Sequence, residues 1–149
     1  MAIPDTPDRV PEHTEARVNA RIRRGAEARI LWLSRNPAHI DARLRELDRE
    51  WTTERLLETN AAALALFGTL MAVFGRRRWS ILPLAVTGFL LQHGVQGWCP
   101  PLPVIRRLGV RTPQEIEAER HALLRIRDNR AAPRRAARRA LRAYRTAAA

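Results

Sequence analysis

One thiol, one imidazole and two amides lie near the end of an apolar segment. Gln92, Gln96 and Cys99 are spaced four and three residues apart, so on one helix they share a face, with His93 displaced by one residue's rotation. Polar side chains at membrane depth are costly unless partnered, and they usually point into a helical bundle or toward another subunit. The spacing therefore predicts interhelical hydrogen bonding or, as a sharper alternative, a thiol site at Cys99.

A thiol site at Cys99 needs a stabilised thiolate. His93 and the arginines Arg106 and Arg107 would favour the thiolate, which could attack or accept a sulfane sulfur. His93 precedes Cys99 by six residues, about 9 Å of helical rise, so a catalytic pair requires a bend at an intervening glycine or a second chain. Zinc binding would need further ligands from a partner, because a structural site normally takes four. Packing is the simpler interpretation, and we expect no catalytic residue, cofactor or metal, with Cys99 as the minority catalytic candidate.

Composition narrows the class of protein. The chain has 149 residues, enough for one domain, and a net charge of +12 carried entirely by arginine, since it contains no lysine. A single cysteine excludes an internal disulfide framework and a multi-cysteine metal site. Arginines interrupt the first 30 residues, which therefore lack the apolar core of a signal peptide. Nothing in the composition indicates secretion.

Two long apolar segments dominate the middle of the chain, and Glu58 is the one charged residue within them. The first, from Leu56 to Gly75, has the length of about 20 residues that crosses about 30 Å of hydrocarbon, and its Glu58 and Asn60 must lie near the membrane interface. The second, from Trp79 to Trp98, has a tryptophan at each boundary, as membrane interfaces favour. Only a short arginine cluster separates the segments, which predicts an antiparallel transmembrane hairpin. The alternative is a soluble helical bundle that buries the same hairpin.

Basic residues near the ends of the spans predict their orientation. Arginines before the first span and after the second outnumber those in the loop, which predicts that both termini face the cytoplasm. The arginines expected to contact lipid headgroups are Arg76, Arg77, Arg78, Arg106 and Arg107.

Small residues follow one face of the first span. Ala61, Ala65 and Thr69 recur at four-residue spacing. In lipid, such a row lets two helices approach closely, because packing drives their association. We expect this face to close the hairpin or to contact a second copy or another membrane protein.

Amphipathic helices flank the hairpin. Apolar residues recur at helical spacing from Val18 to Ile30 and from Ile40 to Trp51. Thr52 or Thr53 could cap the helix of the first span, and Thr112 to Glu115 has the pattern of a helix start. The sequence therefore predicts an all-α fold, a two-helix transmembrane hairpin with amphipathic N-terminal helices and a cytoplasmic C-terminal helix. Its parts are a disordered N-terminus (1–13), an amphipathic helical region (14–54), a hairpin domain (55–112, spans 56–75 and 79–98) and an Arg-rich helix and tail (113–149).

The end of the hairpin resembles a known family. Gly97, Trp98, Cys99 and Pro100, with Leu108, Gly109 and Thr112 further on, are similar to the motif of the YgaP-like inner-membrane transmembrane domain family of bacteria. The resemblance covers about residues 55–112 and implies a short two-helix membrane hairpin. Some members carry a rhodanese-type sulfurtransferase domain, which implies sulfur handling at Cys99. Residues 1–54 contain no rhodanese loop and no second cysteine.

These features predict a small bacterial inner-membrane protein that acts as a membrane anchor or interaction module rather than as an enzyme. Two alternatives remain open: thiol-dependent sulfur transfer or redox sensing through Cys99, and nucleic-acid binding by the Arg-rich tail through phosphate contacts. No aromatic platform accompanies the tail arginines, and the same charges suit anionic lipid. We therefore expect the bilayer, rather than nucleic acid, as the partner.

Overall fold

The fold is all-helical, as predicted. The computed structural model describes residues 9–128 and 133–147, and within them seven α-helices and two short 3₁₀ helices form without any β-strand. The α-helices are α1 (Ala16–Arg35), α2 (Ile40–Arg49), α3 (Thr53–Phe74), α4 (Ile81–Gln96), α5 (Leu102–Arg107), α6 (Pro113–Asp128) and α7 (Pro133–Ala147), and the 3₁₀ helices are Pro37–His39 and Arg77–Ser80.

The chain divides into two compact units. The hairpin unit contains α3, α4 and α5 together with the described residues up to Glu15, and the bundle unit contains α1, α2, α6 and α7. The flanking regions 14–54 and 113–149, which the sequence analysis treated separately, thus contribute to one core. Residues 10–13, part of the stretch expected to be disordered, form turns in which Val10 is fully buried, whereas residues 1–8 lie outside the described residues.

The core of the bundle unit follows the predicted apolar stripes. The stripe of α1 is buried from Val18 to Ile30, and in α2 Ile40, Leu44 and Leu47 are buried while Trp51 is exposed. Helix α7 packs its thin apolar face into the same core. The residues of α6 and α7 that complete the core include Ile116, Leu123, Ile126, Ala137, Ala140 and Tyr144.

Two helix starts have the caps that the sequence predicts. At α6, the Thr112 amide donates to a Glu115 carboxylate oxygen at 2.9 Å, and the Glu115 amide donates to Thr112 Oγ1 at 3.3 Å. This reciprocal pair is a capping box, which satisfies two amides that the helix itself leaves unpaired. At α3, Thr52 Oγ1 accepts from the Arg55 amide at 3.1 Å, which makes Thr52 rather than Thr53 the cap.

A buried carboxylate lies at the centre of the bundle unit. Glu119 is fully buried, and it accepts hydrogen bonds from Arg29 at 3.0 and 3.2 Å, from Arg43 at 3.0 Å and from Arg111. Glu50 binds Arg111 through both carboxylate oxygens, at 2.6 and 2.7 Å. Each buried charge therefore has an opposite charge beside it, which offsets the cost of removing it from water.

Helices α3 and α4 approach closely at Gly68. A Cβ atom on Gly68 would lie 2.6 Å from Cδ of Pro83 and 3.1 Å from Cβ of Leu82. Such distances are far below van der Waals contact, so only glycine permits this crossing. An edge-to-face contact between Phe67 and Trp79, with ring centroids 5.9 Å apart, adds to the same end of the hairpin.

We expect Gly68→Ala to destabilise the hairpin unit by about 1 to 3 kcal/mol, because the added methyl group forces the two helices apart. The matched control is Gly88→Ala, where a Cβ would meet nothing within 4 Å. Alanine there gains helix propensity without a clash. Thermal unfolding of the detergent-solubilised chain should show a lower midpoint for Gly68→Ala only. Equal midpoints in the two variants would contradict the close approach.

Candidate functional site

The most unusual surface of the protein is the apolar exterior of α3 and α4. Only 11% of the apolar stretch of α3 is buried, and Leu66 and Phe74 are 62% and 84% exposed. Leu84 and Leu91 are similarly exposed on α4. Monomeric soluble proteins rarely expose contiguous apolar patches of this kind, which mark protein or membrane contacts.

The two predicted spans differ in length. Helix α3 has 22 residues, a rise of about 33 Å, and it is the one helix among the described residues that is long and apolar enough to cross a membrane. Helix α4 has only 16 residues, a rise of about 24 Å. The segment 79–98, which carries the interfacial tryptophans, is therefore not one continuous α-helix.

Helix α4 ends before Trp98 and Cys99 because of a glycine cap. Gly97 adopts a left-handed conformation with φ of 71°, and its amide donates to the His93 carbonyl at 2.7 Å. This conformation suits glycine and terminates helices. The Arg9 guanidinium also donates to the Val95 carbonyl at 2.6 Å, which satisfies a carbonyl at the negative end of the helix.

Cys99 therefore does not share a helix face with the two glutamines. Gln92 donates to the side chain of Gln96 at 3.3 Å on the outside of α4, whereas Cys99 is buried against Leu102 and Ile105 of α5. Burial raises the pKa of the Cys99 thiol, the opposite of the shift that favours a reactive thiolate.

His93 and Cys99 instead line one cavity within the hairpin unit. The cavity has a volume of about 500 Å³ and lies among α3, α4 and the segment from Cys99 to Ile105. Both side chains are largely buried, with His93 6% and Cys99 3% exposed. On one straight helix these residues would lie about 9 Å apart along the axis, and the end of α4 at Gly97 turns Cys99 back toward this cavity.

The arginines predicted to contact lipid headgroups divide into two groups. Arg76, Arg77 and Arg78 are exposed at the turn of the hairpin, and Arg107 is exposed with Glu15 3.9 Å from its guanidinium. Arg106 is fully buried, and it donates to Thr14 Oγ1 at 3.3 Å and to the Val110 carbonyl at 3.0 Å. The prediction for Arg106 is wrong, because this guanidinium joins segments of the hairpin unit.

The small-residue face lies partly inside the hairpin. Ala61 and Ala65 are half-buried, while Thr69 is exposed and donates to the Ala65 carbonyl at 2.8 Å. Closure of the hairpin uses the neighbouring Gly68.

Sequence reasoning missed two polar residues with structural or site roles. Asn60 lines the cavity beside His93, although its polarity had only placed it near the membrane boundary. Glu119 lies between Ile116 and Leu123 at helical spacing, so an acid within the apolar stripe of α6 was the available signal. Among residues 9–128 and 133–147, no group of three or more His, Cys, Asp and Glu could hold a metal ion.

Over residues 9–128 and 133–147, the fold and this surface define an all-helical protein with one helix able to cross a membrane by length and composition. Comparison with protein-family models, with curated proteins and with solved structures finds no match to the chain.

Proposed function

We propose that the protein is a small bacterial inner-membrane anchor: α3 and α4 insert as a hairpin, and the bundle unit stays in the cytoplasm as an interaction module. One contrast within the chain carries the proposal. The bundle unit buries its apolar stripes, whereas α3 and α4 expose Leu66, Phe74, Leu84 and Leu91. A hydrocarbon environment would cover this exposed surface, and water would not.

The polar side chains of the hairpin also suit a bilayer. Thr69 donates to Ala65, Thr87 donates to the Pro83 carbonyl at 2.8 Å, and Asn60 Nδ2 donates to the Leu56 carbonyl at 2.7 Å. Each group thus finds a partner within its own helix, as lipid requires because it offers none. Helix α4 is short, and the 3₁₀ turn at Arg77–Ser80 extends the helical path on its N-terminal side.

The charged surfaces suggest which contacts an anchor of this kind makes. Arg76, Arg77 and Arg78 lie at the hairpin turn, where they can bind the phosphates of lipid headgroups. Helix α7 buries its apolar face within the bundle unit, so it cannot insert that face into a bilayer. Its exposed arginines are left for an anionic partner of the interaction module and include Arg135, Arg138, Arg139 and Arg142.

Membership of the YgaP-like family is part of the proposal and rests on the motif from Gly97 to Pro100. The left-handed Gly97 and the buried Cys99 give that motif a structural purpose, which is to end α4 and turn the chain into α5. The burial of Cys99 argues against sulfur transfer by this chain. A second copy, packed against the exposed Thr69 side of α3, is the homo-oligomer that the proposal allows.

Single cysteines introduced on a Cys99→Ala background test the topology. Ser80 at the hairpin turn and His121 on α6 are both exposed, so each replacement thiol is accessible. A membrane-impermeant maleimide should label Ser80→Cys in intact spheroplasts and His121→Cys only in inverted vesicles. Labelling of both positions from the same side would show that the hairpin does not cross, and a chain found in the soluble fraction would refute the anchor.

A further inference from the structure

The cavity of the hairpin unit contains a buried imidazole without a hydrogen-bond partner. The side chain of His93 lines the cavity, and neither Nδ1 nor Nε2 is hydrogen-bonded to any residue that the structure describes. Buried polar groups are nearly always paired, and a histidine left unpaired beside a cavity indicates a ligand that pairs with it. The orphan imidazole therefore predicts a hydrogen-bonding group inside this cavity.

The other residues that line the cavity indicate the size and polarity of that ligand. The volume of about 500 Å³ lies within the range of small-molecule sites, about 300 to 1,000 Å³. Side chains such as Leu64, Phe89 and Val104 make the wall almost entirely apolar. None of the described residues that line the cavity carries a formal charge, and Asn60 already donates to its own helix. Glu58 and Arg9 carry opposite charges and both act on His93 from outside the lining, so neither sign of charge is favoured within the cavity. An apolar wall without a charged residue therefore favours a neutral ligand.

We propose that this cavity binds a neutral amphiphile, a hydrocarbon chain with one carbonyl oxygen that accepts a hydrogen bond from His93. A neutral imidazole has one N–H donor and one acceptor nitrogen. In protein interiors an N–H without an acceptor is rarer, and costs more free energy, than an acceptor without a donor. A carbonyl oxygen accepts from the imidazole N–H and leaves only the second ring nitrogen, an acceptor, without a partner. The proposal rests on the proposed function, because an inserted hairpin meets this ligand in the bilayer. The carbonyl then comes from a phospholipid ester or from a free carbonyl compound dissolved in the membrane.

The test follows the ring nitrogens of His93 by NMR in the full chain, with histidine ring ¹⁵N label, in lipid nanodiscs. The discs contain ester-linked phosphatidylcholine or its ether-linked counterpart, which has the same chains without carbonyls. The probe is 2-decanone, and decane is its carbonyl-free control. His93→Phe assigns the signal among the 4 histidines, and Gln92→Leu on the outside of α4 is the matched control.

In ether-lipid discs, we expect 2-decanone to shift the His93 ¹⁵N signal saturably in both the unsubstituted protein and Gln92→Leu. Decane should not shift the signal in either protein. A signal that already differs between ester and ether discs before probe is added identifies the lipid ester as the occupant. Without that difference, the saturable shift identifies a free carbonyl compound. A signal that never moves, or that responds equally to decane, overturns the proposal. A chain that fails to enter the discs refutes the membrane anchor instead, and the same titration in buffer then decides the cavity separately.

Discussion

Replacing Glu119 with glutamine is expected to destabilise the bundle unit by about 3 to 5 kcal/mol, the cost of breaking a buried ion-pair network by removing one partner. The carboxylate is fully buried and touches three guanidinium groups, of which Arg111 is itself almost wholly buried. Glutamine keeps the shape of the side chain but not its charge, and its amide NH₂ group would face the N–H donors of the guanidinium groups. Arg43 then keeps its ion pairs with Glu46 and Glu50, and Arg111 keeps its ion pair with Glu50.

Hydrogen exchange of the α6 amides measures this loss within the full chain. Local opening free energy sets the exchange rate, so a loss of about 3 kcal/mol speeds exchange roughly 100-fold. Glu117→Gln is the matched control, since Glu117 lies on the same helix and pairs with Arg120 at 3.0 Å but is exposed. An exposed pair contributes about 0 to 1 kcal/mol. Similar exchange in both variants would show that the arginines do not depend on Glu119.

The same carboxylate predicts how stability changes with pH. Burial alone would raise the pKa of Glu119, but the hydrogen bond from Arg29, the charge of Arg111 and the hydrogen bond from Arg43 outweigh it and lower the pKa to about 2. The folded pKa lies below the ordinary value of 4.5, so the stabilisation is complete above about pH 4.5 and is lost as the pH falls toward 2. Circular dichroism from about pH 4.5 to about pH 2 should show a loss of helix in the unsubstituted protein. The loss over the same range should be smaller in Glu119→Gln.

Leu66→Arg is expected to disrupt membrane insertion. Leu66 is 62% exposed near the middle of α3, and an arginine at the centre of a transmembrane helix costs about 3 kcal/mol of insertion free energy. The first span has acidic residues, Glu54 and Glu58, near its start, so little surplus hydrophobicity offsets this cost. Alkaline extraction of membranes should release most of the variant while the unchanged chain stays in the pellet.

The control for this experiment is Leu31→Arg. Leu31 is 42% exposed on α1 of the bundle unit, outside both proposed spans. A charge on a water-exposed surface changes stability by no more than about 0.5 kcal/mol, so this variant should remain in the pellet. If the protein is instead a soluble bundle, α3 crosses no membrane, and the charge added by Leu66→Arg should not change how the protein fractionates. Retention of both variants in the membrane would therefore contradict the proposed span.

Local patterns in the sequence determined much of the fold. The stripes from Val18 to Ile30 and from Ile40 to Leu47 are buried as predicted, because residues three and four apart necessarily share one side of a helix. The caps at Thr52 and Thr112 were equally visible, since each needs only partners three residues away. The lengths of the apolar segments were counted directly from the sequence, although the second helix ends earlier than predicted, at the Gly97 cap.

Only the tertiary structure decided which distant side chains meet. Glu119 contacts Arg43 and Arg29, 76 and 90 residues earlier in the chain, and Arg106 contacts Thr14 across 92 residues. The spacing of residues along one helix does not indicate such pairs, because their free energy depends on the fold removing both partners from water together. For the same reason Arg106 was predicted at a lipid surface and lies in the interior. The cavity shared by His93 and Cys99 also exists only once Gly97 has ended α4 and the chain has turned back, which spacing along a single helix could not indicate.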